Sequence, residues 1–389
     1  MNRIGMNMER VKRQNRSLIL SYINENGPVS RTDIAQATGL TAAAVTQITG
    51  ALIAEGILYE ASVSTEKTGA AGRKKVPLDI ESNAALVYVV NIEPDETTVA
   101  VCGLKGEPLT YRGQKIITRF ATDTAAAPEE FLERIAGVCR TLSKDLSGRL
   151  IKRIDCVSVG ITGLVDVANG ISMRAYGIWR KPVNVASILG SALGLPVMVE
   201  NNVDAFSAAE LLYGEGRSEN DFLTIKWGPG VGSTMIIGGE IYRGKTGKSA
   251  ELGHFIVEPG GKLCTCGRRG CLETRLSYRA LSEIMHFDLE TSFDEAWEAA
   301  SPETKEQIDE AIDLFARSIV NTGTILAPGR IVLFGGLTGI KSLRDKLIEA
   351  CKVYDPAYDE DRIIHTTLTG MESYVGPAAV YARQKLFAL

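Results

Sequence analysis

Three thiols and an imidazole fall close together in this chain: His254, then Cys264-Thr-Cys266-Gly-Arg-Arg-Gly-Cys271. Three cysteines within eight positions, carried on glycine-containing turns, complete with His254 a Cys3His donor set, which is a four-coordinate zinc set. The chain has seven cysteines, and the other four, Cys102, Cys139, Cys156 and Cys351, stand singly in apolar stretches, so the crowding favours metal over disulfide. A redox or surface cluster is the alternative, but three thiols this close without a metal are an oxidation liability. Four protein ligands leave no coordination position for an activated water. The expectation is therefore one structural Zn2+ per chain, which weighs against a zinc hydrolase or deaminase.

These residues sit in a stretch whose texture demands an α/β scaffold. From residue 84 onward, short β-rich runs alternate with amphipathic helices. Ala85–Ile92 and Thr98–Leu104 read as a hairpin, 128–146 as a helix and Cys156–Ile161 as a buried strand. A second series follows: strands at Val197–Glu200, Phe222–Trp227 and Thr234–Ile237, a helix over 304–326, and a strand at Ile331–Phe334 running into Gly335-Gly336. Strands followed by helices, twice over, predict two related lobes with a ligand cleft between them. The boundaries expected are 84–196 for the first lobe, with a terminal helix over 376–386 packing back on the body, and 197–374 for the second lobe with the zinc site.

Composition agrees with that size and class. The chain has 389 residues, 45% hydrophobic and 23% charged, which suits two or three globular units. The net charge of −4 hides an asymmetry: residues 1–80 hold ten Lys and Arg against seven Asp and Glu, and the remainder 33 against 40. A mildly basic head thus precedes an acidic body. The sequence shows neither a bilayer-length apolar run nor the apolar core of a signal peptide, so a cytoplasmic protein without a membrane partner is expected.

The head, 1–80, reads as a winged helix-turn-helix. Val11, Leu18, Ile19, Tyr22 and Ile23 recur at helical spacing until Gly27-Pro28. Ser30-Arg-Thr-Asp33 has the form of a capping box stapled by Val29 and Ile34, and Gly39 ends the short helix. Thr41 caps a third helix, stapled by Leu40 and Val45, with Val45, Ile48 and Leu52 as its buried stripe. Its other face, with Ala43, Thr46 and Gln47 following Thr41, is small or amide-bearing and fits a DNA major groove, where Gln47 can pair with an adenine edge. After Gly56, strand-like Ile57–Glu60 and Lys75–Ile80 flank a loop ending in Gly72-Arg73-Lys74, a basic wing tip for phosphate or minor-groove contact. Double-stranded DNA is the expected partner, and a protein-binding three-helix unit the bland alternative.

Glu251-Leu-Gly-His254, then Cys264-Thr-Cys266-Gly, then Arg269-Gly-Cys271-Leu-Glu273 resembles the signature of the ROK family of sugar-responsive repressors and sugar kinases. The resemblance runs from Tyr88 to Gly376-Pro-Ala-Ala379, and the head is similar to that of the repressor branch. It implies an actin-like body of two α/β lobes hinged around a sugar cleft, in a homodimer or dimer of dimers, with a small carbohydrate as effector. It further implies that Glu251, His254 and Glu273 contact sugar hydroxyls. Carboxylates accept from vicinal hydroxyls, and a histidine bound to zinc through one nitrogen can offer its other N–H to a sugar oxygen.

Against the kinase branch the chain departs twice. Where the family's kinases carry Glu-Asn-Asp, with the Asp as general base, this chain has Glu200-Asn201-Asn202, and an amide cannot take the proton. Asn201 and Asn202 can still bond hydroxyls, while Asp204 is expected to face elsewhere. Where the kinases carry an Asp-x-Gly-Gly-Thr phosphate loop, the chain has Glu93-Pro94-Asp95-Glu96, which repels phosphate. The glycines of Gly228-Pro-Gly-Val-Gly232 and Gly335-Gly336 remain as scaffold. No catalytic residue is expected, and the reading is a sugar-responsive repressor binding a pseudo-palindromic operator. A sugar kinase with an appended head, or a protein-binding scaffold, is the alternative.

Overall fold

Turn chemistry at the start of the chain works as its spacing predicts. The computed structural model of the protein describes residues 8–62, 76–245, 250–287 and 293–387. Helix α1 spans Met8–Asn26, α2 Arg31–Thr38 and α3 Ala42–Ala54. Ser30 Oγ accepts from the Asp33 N–H at 3.3 Å while Asp33 Oδ2 accepts from the Ser30 N–H at 3.2 Å, the reciprocal pairing of a capping box. Gly39 ends α2 at φ 69°, a left-handed conformation glycine adopts without strain. Thr41 Oγ1 then caps α3 by accepting from Ala44 N at 3.2 Å. Pro77–Ile80 forms the middle strand of a small antiparallel sheet, between Val29–Ser30 and Leu58–Glu60.

Two stripe assignments shift. Leu18 is 44% exposed, and Leu20 takes its place beside Ile19 and Ile23 in a fully buried triplet. On α3, Thr49 is buried with Val45 and Leu52, and Ile48 only half-buried, because Thr49 turns its hydroxyl back onto the Val45 carbonyl at 2.8 Å and buries its methyl.

The body consists of two five-stranded sheets of one topology. In the first, the order is Val197–Asn201, Ile154–Ile161, Leu86–Ile92, Glu96–Gly103, Ile117–Ala121; in the second it is Ile363–His365, Arg330–Phe334, Phe222–Trp227, Val231–Ile237, Glu240–Ile241. Each sheet has three parallel strands and then an antiparallel hairpin partner and edge. The strand Val197–Asn201, expected to open the second lobe, is instead an edge of the first sheet, paired in parallel with Ile154–Ile161. The helix Asn202–Tyr213 continues directly from it, and the terminal helix Val375–Phe387 packs along that helix and against the first sheet. The long helix Pro302–Leu326 and the helix Lys341–Tyr354 cover the second sheet.

Head and first lobe share one core: Ile19, Leu20 and Ile23 of α1 belong to the same apolar cluster as Phe206, Leu212, Val375 and Leu386. Asn24 Nδ2 donates to the Leu212 carbonyl at 2.5 Å, and Lys105 pairs with Asp79 at 2.7 Å. Among the described residues no helix is long and apolar enough to cross a membrane.

Candidate functional site

Register places the site. Ile92, Ile161 and Asn201 are aligned across the three parallel strands of the first sheet, so Glu93, Thr162 and Asn202 all leave the sheet at its carboxyl edge, where ligands of open α/β sheets bind. From the second lobe come Lys226, the glycine turn Gly228–Gly230, and the segment 251–273. Together they enclose a cavity of about 580 Å3. All five residues expected to bind sugar, Asn201, Asn202, Glu251, His254 and Glu273, line it.

The four expected metal ligands converge beside it. The donor atoms of His254, Cys264, Cys266 and Cys271 lie within 4.8 Å of one another, with Cys264 Sγ 3.6 Å from His254 Nδ1 and Cys266 Sγ 3.7 Å from Cys271 Sγ. A tetrahedron with Zn–S bonds of about 2.3 Å has edges of roughly 3.8 Å, so donor set and spacing fit the ion. Gly270 makes the turn possible: at φ 74°, a Cβ there would meet the Glu258 carbonyl oxygen at 1.7 Å. His254 is 5% exposed; its Nδ1 faces the sulfurs, and its Nε2 lies 3.7 Å from Glu251 Oε2 on the cavity side. The Tyr176 ring meets the imidazole edge-on, centroids 5.7 Å apart.

The amides and carboxylates are held rather than free. Asn201 caps its helix, accepting from Val203 N at 2.8 Å and Asp204 N at 3.2 Å and donating to Gly163 O at 2.7 Å. Asn202 donates to Glu93 Oε1 at 2.7 Å. Glu273 Oε2 accepts from the Val231 N–H at 3.1 Å, and a Cβ at Gly230 would come within 2.8 Å of that oxygen, so the turn must stay bare there.

Two features escaped the sequence. Lys226 pairs with Glu93 at 2.5 Å across the lobes, and Arg243 grips Glu200 at 2.6 Å and Asp204 at 2.8 Å. Asp204 does not line the cavity that holds the five expected sugar residues; it faces a second cavity of about 750 Å3, which continues past Asn201 and Glu251 and which it lines with Arg243 and Glu200. Burial pushes the Glu200 carboxyl up to about 7, against the pull of Arg243. Ion pairs between residues 133 and 43 positions apart leave no local pattern to read.

On the head, Thr41, Ala43, Thr46 and Gln47 are exposed on one end of α3. Thr46 spends its hydroxyl on the Ala42 carbonyl at 2.8 Å and turns out a methyl, as a thymine contact requires. The wing-tip residues Arg73 and Lys74 lie outside the described residues.

The ROK family pattern matches residues 88–383, and a winged helix-turn-helix DNA-binding pattern matches residues 12–59. The chain is 26% identical over 355 residues to the xylose repressor of Bacillus spizizenii, covering 87% of this chain and 84% of that protein. A crystal structure of a ROK family transcriptional regulator, homologous to Escherichia coli Mlc, superposes with a TM-score of 0.73 at 23% identity over 97% of this chain and 98% of that one. The ROK glucokinase of Streptomyces griseus, solved with glucose and AMPPNP, superposes with a TM-score of 0.61 at 25% identity, covering 77% of this chain and all of that one (100%).

Proposed function

The chain belongs to the ROK family, and from that premise we propose that it is a sugar-responsive transcriptional repressor whose operator affinity is set by a carbohydrate in the interlobe cavity. The observation that carries this reading is that one helix connects head and pocket: Asn201 and Asn202 at the start of Asn202–Tyr213 line the cavity, and the Leu212 carbonyl near its end accepts from Asn24 of α1. The resemblance to a xylose repressor along most of its length supports a sugar as effector. Zn2+, held by His254, Cys264, Cys266 and Cys271, has a structural role here, fixing the tautomer and direction of the His254 ring. The protein works in the cytoplasm as a homodimer or a pair of dimers, and paired α3 helices then read half-sites about 34–36 Å apart or a multiple of that. A thermal-shift screen against a sugar library followed by operator gel shifts with the hit tests the whole reading; a sugar that binds yet leaves operator binding unchanged defeats it.

DNA contact divides into two kinds. Gln47→Ala is expected to lose about 1–3 kcal/mol of discrimination at one base pair, whereas Arg73→Ala weakens binding to many sequences and lowers the salt slope by about one. Equal salt slopes for wild type and the Arg73 variant would remove the wing from the interface.

The glucokinase likeness raises phosphoryl transfer as a second reading, and the site opposes it from both sides. Asn202 is an amide bonded to Glu93, and Glu93, Pro94 and Asp95 stand where a phosphate would need N–H donors. No sugar-dependent ADP release is expected in a coupled assay. Asn202→Asp alone is expected not to create it; turnover at ordinary kinase rates in either protein would establish the enzyme.

A further inference from the structure

Glu93 follows the first lobe's Leu86–Ile92 strand, and its Oε1 accepts from Lys226 Nζ at 2.5 Å and from Asn202 Nδ2 at 2.7 Å. Lys226 belongs to the second lobe's strand Phe222–Trp227, so one carboxylate joins both lobes and occupies the cation that faces the cavity. The other cation on the lining, Arg279, has an 86% exposed side chain and is paired with Glu283 at 2.9 Å. Against these two stand the carboxylates of Glu93, Asp95, Glu251 and Glu273.

We propose that Glu93 is an anion filter: together with Asp95 it restricts the effector to sugars without negative charge and rejects their phosphate esters and uronic acids. This rests on reading the cavity as a sugar site. A neutral sugar brings hydroxyl donors, which carboxylates accept. A phosphate ester brings close to two negative charges. To pair with Lys226 it must take that cation from Glu93, leaving the carboxylate without a counter-charge; otherwise it lies beside Glu93 and Asp95 with the solvent-exposed Arg279 as the remaining cation of the lining. Both outcomes are unfavourable around Glu93 and Lys226, whose side chains are 22% and 15% exposed. Asn202 adds only a neutral amide, one of whose two N–H groups is already given to Glu93. The filter thus depends on the pairing of Glu93 and Lys226 across the lobes and not on acidity alone.

The test is calorimetric titration of the full chain with xylose, glucose, mannose and N-acetylglucosamine, each beside its monophosphate ester. Any sugar that binds is expected to bind about 100-fold more tightly than its ester, and the gap should shrink as salt is raised. Glu93→Gln, which keeps an acceptor for Lys226 but removes the charge, is expected to narrow the gap by about tenfold. Asp95→Asn, on an exposed residue that leaves the Glu93–Lys226 pair intact, should narrow it by a smaller factor. An ester that binds as tightly as its parent sugar, or a gap untouched by salt and by both substitutions, overturns the filter and leaves the sugar site standing. Failure of every sugar and every ester to bind overturns the sugar site and the filter with it.

Discussion

Glu251→Ala is expected to keep operator affinity within about twofold of wild type and to lose the response to sugar. Glu251 opens the short turn that carries His254, its Oε2 3.7 Å from the imidazole Nε2, and it lines both cavities. It lies far along the chain from the head, whose described contacts run through α1, Lys105 and the helices Asn202–Tyr213 and Val375–Phe387. Hydrogen bonds to a charged acceptor contribute about 1.5–3 kcal/mol each, so losing this carboxylate should cost roughly 10–150-fold in sugar affinity. Linkage demands that sugar weaken operator binding by the factor by which operator weakens sugar binding, with typical coupling of about 1–3 kcal/mol, or 5–150-fold. Both factors can be read in one set of titrations, with and without operator DNA. A Glu251 variant that still responds like wild type, or sugar and operator that bind independently, would place regulation outside this cavity.

Removing the metal is expected to have the other large effect. Freshly purified, reduced protein should contain one zinc per chain by elemental analysis, and a strong chelator should lower the melting temperature of the second lobe. Cys266→Ser should do the same and also reduce sugar affinity by about tenfold or more, since the His254 ring loses the anchor on Nδ1 that directs Nε2 into the cavity. The two readouts separate a structural from a recognition role: a fall in melting temperature with unchanged sugar affinity leaves His254 oriented by Tyr176 and Glu251 alone. Zinc-free protein with an unaltered melting profile would falsify the metal site.

Much of this was legible in the chain because the signals are local. The Ser30–Asp33 box, the Thr41 cap and the 264–271 cluster each lie within a few residues, where chain geometry leaves few alternatives. The resemblance carried the five cavity residues, and the sheet register explains why segments near 92, 201, 254 and 273 meet. Pairings between distant residues were invisible: Glu93 and Lys226 are 133 positions apart, and Glu200 and Arg243 43. Strand Val197–Asn201 was assigned to the wrong lobe for a related reason, since a parallel strand takes its partner from a crossover that pattern alone does not specify. Asp204 does face away from the cavity that holds the five sugar residues, but the second cavity it lines at the helix start is a shape that helical periodicity does not encode.

On the proposed reading the helix Asn202–Tyr213 acts as a lever arm. Its 12 residues, at about 1.5 Å rise each, span roughly 18 Å between the cavity and the contact with α1. A tilt of about 5° pivoting on Asn201 swings the far end by roughly 1.6 Å. In a two-fold dimer both arms swing, and the recognition helices part or close by about 3 Å, close to the 3.4 Å rise of a single base-pair step. An effector then has no need to unfold or detach the head, for a change of one step in the distance between the two readers takes them out of register with a fixed pair of half-sites.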